Sequence, residues 1–471
     1  MTDLAPLDAT AQADLVHRKE LSPRELVLAA IERIERMNPT LNAVIHERFD
    51  KALTDADRVD VDAPFAGVPY LAKDAGCATE GDPYHVGLGP LKEAGYRAPA
   101  DSELAERFRA AGFVCVGRTN VPQLLLSATT EPTAYGPTRN PWDTDRSAGG
   151  SSGGSGSAVG AGLVPVAHGN DAGGSIRIPA AMCGVVGLKP TRARVSDAPL
   201  GITWGGLNHE FALTRSTRDT AALLDALAGR AWGDPYTGPP PVRPWASEVG
   251  APGGALRVRV VVGVERTSTD PEVAAAVEAT ATVLTDLGHD VDTGVVPELD
   301  EHAPYGDVVA VSAARDVQRL GAGAGITITP DDLEPLNAMI VSRGQQLSGT
   351  DYQAALEQMH AYGRRLEARW ADFDLLLTPT CSVQHARIGE MGPEADLAEA
   401  GPALGARTLF TACFDVTGQP AISLPLHQTS SGLPIGVQLV AATGREDLLL
   451  RVAAQLEAAV PWADRRPAVS A

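Results

Sequence analysis

Apolar positions along the chain switch between helical and strand spacing. Val27, Ala30, Ile31, Ile34 and Met37 recur at intervals that line one face of a helix. Ser22-Pro23-Arg24-Glu25 stands before them as a capping box with proline at the first helical position, and Pro39 is expected to close the helix. Leu41–Ile45 reads as a first strand. Phe65–Ala72 is a continuous apolar run ending at Lys73-Asp74, a strand running into a loop. Glu103–Ala111 predicts a helix and Phe113–Gly117 a short buried strand. Val258–Val264, a helix from Asp270 to Leu287 stopped by Gly288, and a strand from Val291 make a β-α-β unit. Residues 300–370 read as mostly helical. Leu375–Leu377, Ala421–Leu424 and Val437–Val440 read as strands, and Glu446–Ala458 as a last helix. Alternation of this kind predicts an α/β protein.

Two stretches interrupt the pattern. Gly233–Gly254 is rich in Pro and Gly and reads as a surface connection. Residues 147–160 are almost entirely Ser, Gly and Ala, the composition of a flexible linker. Against that, the segment passes into apolar Val159–Val166, and a second glycine pair, Gly173-Gly174, follows soon after.

Composition narrows the function classes. With 471 residues, 44% of them hydrophobic, the chain can bury a large core. A net charge of −20 argues against a nucleic-acid or anionic-membrane surface, which needs clustered Lys and Arg. Cys77, Cys115, Cys183, Cys381 and Cys413 are odd in number and widely spaced. They read as buried small hydrophobes, not as a disulfide framework or a zinc site. The start of the chain lacks a basic, apolar leader and no apolar run reaches membrane length, so a cytoplasmic protein is expected. Only five of the 39 basic residues are lysine, so Lys73, after an apolar run, stands out.

Gly150-Ser151-Ser152-Gly153-Gly154 matches G-x-S-x-G, but the polar Trp142–Ser147 stretch before it is not the strand a nucleophile elbow needs. Gly154-x-Gly156-x-x-x-Gly160 resembles a loosened dinucleotide loop and also lacks its strand. A larger constellation fits better. It joins Lys73 in Gly67–Asp74, the Gly149–Ser155 loop, and Asn170-Asp-Ala-Gly-Gly-Ser175-Ile-Arg177-Ile-Pro179. Gly117–Asn120, Thr138–Trp142, Gly184–Thr191, Asp374–Pro379, Thr417–Pro420 and Pro434–Gln438 accompany it. In these motifs, spread over nearly the whole chain, the sequence resembles the amidase signature family.

The resemblance implies one amidase domain over residues 1–471, with a signature core at 62–200 and a helical elaboration at 300–370 shaping the pocket. The implied fold is a central mixed β-sheet flanked by helices on both faces. It implies hydrolysis of amide C–N bonds through a Ser–cis-Ser–Lys triad: Ser175 as nucleophile, Ser151 as bridging serine in a cis peptide, Lys73 as base. Ala172, Gly173 and Gly174 are the expected oxyanion donors. Gly150, Leu126, Ser127 and Asn170 are expected at the substrate, and Ser152, Asp171 and Arg177 in support. His168, next to the site in sequence, reads as a satisfied core histidine. No metal and no cofactor is implied. The expected partner is a small amide, ester or carbamate, and the expected state a monomer or homodimer. An alternative inside the same family is the A subunit of a tRNA-dependent amidotransferase.

The residues suit that chemistry. A serine hydroxyl must lose its proton as it attacks, and lysine accepts a proton only when neutral. Burial disfavours the ammonium, and the apolar run before Lys73 can supply it. Asp74 would oppose this if the two side chains touched. Ser151, donor and acceptor at once, can pass the proton. Leu124-Leu125-Leu126-Ser127 predicts an apolar pocket wall suited to aryl or aliphatic groups.

Overall fold

The computed structural model describes residues 4–471. Residues 1–3 of the stretch read for a leader lie outside it. Eleven strands form one sheet: β1 (Val44–Glu47), β2 (Pro69–Lys73), β3 (Val114–Thr119), β4 (Val166–Asp171), β5 (Val186–Lys189), β6 (His209–Thr214), β7 (Arg257–Val260), β8 (Asp290–Thr293), β9 (Leu375–Pro379), β10 (Ala421–Gln428) and β11 (Pro434–Ala441). Their order is β1-β3-β2-β4-β6-β5-β10-β11-β9-β7-β8. The β3-β2-β4 and β9-β7-β8 neighbours are parallel, and the remaining pairs are antiparallel. The sheet is therefore mixed, and helices pack on it as the α/β reading expected. Every residue of β2, β3, β4, β9 and β11 is buried, as strands covered on both faces require.

Most predicted elements are present with shifted ends. The first long helix, Pro23–Leu41, has the predicted capping box, but Pro39 does not close it. Pro39 is exposed in the last turn, where its missing N–H interrupts only one rung of the helical hydrogen bonding. Asn42, at φ 50, ends the helix in the left-handed conformation. The β-α-β unit is formed by β7, the helix Pro271–Asp286 capped by Asp270, and β8. Strand β6 and the helix Thr217–Leu227 after it were not predicted. The five cysteines are free and buried. Among the described residues, no helix is long and apolar enough to cross a membrane.

The glycine-rich stretch is no linker. Gly153–Gly160 is a helix buried over almost its whole length. Glycine costs about 1 kcal/mol against alanine inside a helix, so something else selects it. A Cβ on Gly154 would lie 2.5 Å from the Asn120 backbone nitrogen, and one on Gly160 would lie 2.7 Å from the Cys183 carbonyl oxygen. The helix is glycine because other backbones cross it at contact distance.

Residues 300–370 hold three helices, Gly306–Ala324, Pro335–Gln346 and Gly349–Glu367. Ala313, Val317 and Leu320 of the first pack with Val86, Leu124 and Leu126 in a core separate from the main one. Ala75, two residues past β2, belongs to the same small core, which forms a roof over that end of the strand.

Candidate active site

Lys73 is the last residue of β2 and is fully buried. Its Nζ lies 2.8 Å from Ser151 Oγ, 2.6 Å from Asn170 Oδ1 and 3.4 Å from the Asn170 carbonyl oxygen. Burial lowers its pKa to about 7, and the negative charges of Glu210 and Asp171 oppose the fall. Asp74 does not face it. The Asp74 carboxylate accepts from the His85 and Val86 backbone N–H groups and pairs with Arg118. Burial pushes the Asp74 carboxyl up to about 6, against the pull of Arg118.

Ser151 follows a cis peptide bond at Gly150 and is buried. The Ser152 N–H donates to the Ser175 carbonyl at 3.2 Å, tying the glycine-rich turn to the segment after β4. Ser152 Oγ donates to the Asn170 carbonyl at 3.4 Å. Ser151 and Ser175 line one cavity of about 190 Å³ that is open to solvent. Gly150, Leu126, Ser127 and Asn170, the four residues expected at a substrate, line it too. The Asn170 side chain, however, spends its oxygen on Lys73 and its NH₂ on Glu210 at 3.2 Å, so it holds the lysine. The roof supplies Tyr305, Val309, Asp316, Arg319 and Leu320. Asp316 accepts from Trp204 Nε1 and from Arg319, leaving one charged pair in a mainly apolar wall.

Asp171 and Arg177 build the turn that presents Ser175. Asp171 accepts from the backbone N–H groups of Gly174, Ile176 and Arg177, and from Arg177 Nε and Nη2 at 2.9 and 2.8 Å. Arg177 also reaches Asp415 Oδ2 at 2.8 Å, Gln438 Oε1 at 2.9 Å and the Thr411 carbonyl at 3.0 Å. Burial would push the Asp171 carboxyl up, but Arg177 holds it well below the usual carboxylate range. Of the three expected oxyanion donors, Gly174 already gives its N–H to Asp171 Oδ1 at 2.6 Å. Ala172 and Gly173 line the cavity. Gly174 sits at φ +126, where a Cβ would meet Thr411 Oγ1 at 2.4 Å. Gly174→Ala is therefore expected to lower both the melting temperature and kcat, the latter on the order of 10²-fold, because it moves the Ser175 turn. Thermal unfolding and turnover of the same preparation check it.

His168 is a buried partner of both the Lys73 backbone N–H, at 3.3 Å, and Glu210, at 2.6 Å. Sequence reasoning missed Glu210, which lies on the unpredicted strand β6. The available signal was an acidic residue inside His209-Glu-Phe-Ala-Leu-Thr214, a short run with an apolar centre. Among the described residues, no three His, Cys, Asp or Glu side chains are grouped to hold a metal ion.

Residues 25–450 match the Amidase family, and the chain belongs to it. It is an amidohydrolase acting on carbon–nitrogen bonds. It is 46% identical to the 6-aminohexanoate-cyclic-dimer hydrolase of Paenarthrobacter ureafaciens, over 98% of this chain and 96% of that one. A solved structure of 6-aminohexanoate cyclic dimer hydrolase superposes with a TM-score of 0.95 at 45% identity, covering 100% of both chains. A bacterial aryl acylamidase of the amidase signature family superposes with a TM-score of 0.88 at 27% identity, over 98% of this chain and 99% of that one.

Proposed function

We propose that this amidase cleaves small or oligomeric amides through an acyl-enzyme on Ser175, with Ser151 as proton relay and Lys73 as base. One observation carries the reading: the set of partners around Lys73 Nζ. Two of the three, Asn170 Oδ1 and the Asn170 carbonyl, can only accept. A neutral amine has two N–H bonds and one lone pair. Nζ donates to Ser151 Oγ as an ammonium; once neutral, with both N–H bonds given to Asn170, its lone pair is left for Ser151, the one partner able to donate.

The steps follow from that arrangement. Ser175 Oγ attacks the amide carbon, and its proton passes to Ser151 while the Ser151 proton passes to Lys73. The tetrahedral oxyanion takes the N–H groups of Ala172 and Gly173, and that of Ser175 itself. The Gly174 N–H supports the turn through Asp171. Each oxyanion donor is worth about 3 kcal/mol in the transition state. As the C–N bond breaks, the Lys73 proton returns through Ser151 to the departing amine. Water then attacks the acyl ester by the same relay and frees the acid and Ser175.

The mainly apolar cavity supports aliphatic and aryl amides, and the similarity to 6-aminohexanoate-cyclic-dimer hydrolase supports oligomeric amides. Esters carry a better leaving group and are expected to react, and the same nucleophile and oxyanion donors can attack the carbonyl of an aryl carbamate. The test is amine or phenol release from a panel of anilides, aliphatic amides, 6-aminohexanoate oligomers, esters and aryl carbamates. Cleavage of an amide panel member by the chain alone supports the reading. Turnover of glutamine only would move the assignment to an amidotransferase subunit.

The base gives a pH signature. Lys73 works only when deprotonated, so kcat/KM is expected to be full above about 7 and to fall as pH drops through that value. A flat profile between about pH 5 and 9 would remove Lys73 from the role.

A further inference from the structure

The mechanism above leaves Glu210 unused, although it is buried against the Lys73 surroundings. The Lys73 backbone N–H donates to His168 Nδ1, so that ring nitrogen carries a lone pair. Burial holds His168 below its ordinary pKa, so the ring is neutral with its proton on Nε2. Nε2 donates to Glu210 Oε2 at 2.6 Å. Glu210 Oε1 accepts from Asn170 Nδ2 at 3.2 Å and Asn208 Nδ2 at 2.9 Å. Burial would raise the Glu210 carboxyl, but the hydrogen bond from His168, with those from Asn208 and Asn170, holds it below its ordinary value. Glu210 is thus an ionised carboxylate whose three side-chain donors are all neutral.

The other charges around Lys73 are already balanced. Asp171 is paired with Arg177, and Asp74 with Arg118, whose Nη2 also donates to the Lys73 carbonyl at 2.7 Å. Burial, and then Glu210, push the Asp197 carboxyl up to about 8, so it is uncharged at neutral pH. Among the described residues, Glu210 is the ionised carboxylate toward Lys73 that has no Arg or Lys partner, its partner being the buried His168.

Resting on Lys73 as base, we propose that Glu210 is the positioning residue of that base: it fixes the Asn170 amide with Oδ1 on Lys73, and its charge stabilises the proton Lys73 takes through Ser151. The orientation is forced. A carboxylate accepts only, so Asn170 must turn its NH₂ to Glu210 and its oxygen to the lysine. When Lys73 becomes an ammonium during attack, the buried carboxylate one amide group away offsets its desolvation. Glutamine at this position breaks the pattern, because its own NH₂ must face the NH₂ groups of Asn170 and Asn208 or the N–H of His168.

The test needs no knowledge of the natural substrate. Phenylmethanesulfonyl fluoride labels an activated serine: Ser175 Oγ bonds to sulfur, the S–F bond breaks, fluoride leaves, and the hydroxyl proton goes through Ser151 to Lys73. Labelling rates are read by intact mass against pH for wild type, Glu210→Gln, Glu210→Asp and Lys73→Ala. Wild type is expected to rise through a midpoint near 7. In Glu210→Gln the midpoint moves to lower pH by about one unit, since loss of the charge favours the neutral amine. The plateau rate falls on the order of 10-fold, since the base is weaker and less well placed. Glu210→Asp keeps the charge and is expected to recover most of the midpoint shift. A Glu210→Gln protein that melts like wild type and slows without any midpoint shift overturns the proposal, leaving a structural role. If Glu210→Gln does not fold, Glu210→Asp decides: with the charge kept the midpoint stays near that of wild type while the shorter side chain loosens Asn170 and lowers the plateau, and a plateau at the wild-type rate overturns the positioning role. Labelling of Lys73→Ala at the wild-type rate overturns the base itself, and the Glu210 role with it.

Discussion

Ser175→Ala is expected to lower kcat/KM for every member of the substrate panel by on the order of 10⁴-fold or more, with the fold intact. The substitution removes the oxygen proposed to form the new bond. Neither neighbouring serine can replace it. Ser151 is 1% exposed and its oxygen faces Lys73. Ser152 is 0% exposed and points its hydroxyl at the Asn170 carbonyl. Ser175 is partly open to the cavity, so alanine there neither opens a core void nor strips a buried partner. What survives is binding and the oxyanion donors acting on water, which explains a finite residual rate. The measurement is amine release from a matched anilide and ester, with thermal unfolding of both proteins as the control. A second readout is the acyl-enzyme: intact mass after mixing with the ester is expected to show a covalent adduct in wild type and none in the variant. Retention of activity within tenfold would transfer the nucleophile to another residue and dissolve the proposed triad.

Arg177→Met is expected to cost about 3–5 kcal/mol of unfolding free energy and to abolish turnover. The shape and volume are similar, so packing is not the cause. The guanidinium is fully buried and gives two bonds to Asp171 and further bonds to Asp415, Gln438 and the Thr411 carbonyl. Removing it leaves the Asp171 carboxylate buried beside Asp415. Burial, and next the charge of Asp171, already hold the Asp415 carboxyl well above its usual range, so it has little capacity to take up the change. Asp171 is also the acceptor for the Gly174, Ile176 and Arg177 N–H groups. Loss of order there displaces the Ser175 turn and the Ala172-Gly173 backbone that lines the cavity. Urea unfolding followed by tryptophan fluorescence, alongside the anilide assay, checks both halves. A variant with wild-type stability would show that Asp171 is held by its three backbone donors alone.

How much of this was legible beforehand depended on the kind of signal each element carried. Strand β2 was readable because a strand buried on both faces is a continuous apolar run, and Lys73 was readable because it breaks that run. The helix Pro23–Leu41 was readable from its capping box and spacing. Pro39 misled, because proline is excluded by the ladder it interrupts, and at the last exposed turn there is almost no ladder left. The stretch 147–160 has linker composition, and only the crossing backbones of Asn120 and Cys183 explain why it is a buried helix. The Ser151–Ser175 spacing and the family resemblance brought the candidate triad together before any coordinates did.

The sequence by itself determined the α/β class, the family and the chemical types at the site, because those are properties of local period and of short motifs, each read within a few neighbouring residues. Only the tertiary structure decided the partners of those residues. Asn170 was expected at the substrate and lines the cavity, and only the structure shows that its two amide ends also meet Lys73 and Glu210. Asp74 stands beside Lys73 in sequence yet turns to Arg118. Glu210 reaches the lysine surroundings only because β6 pairs antiparallel with β4, setting Asn170 opposite it. Protonation in a buried site depends on which charges are neutralised within a few ångströms. That is a property of contacts between distant segments, and no pattern along one strand of the chain contains it.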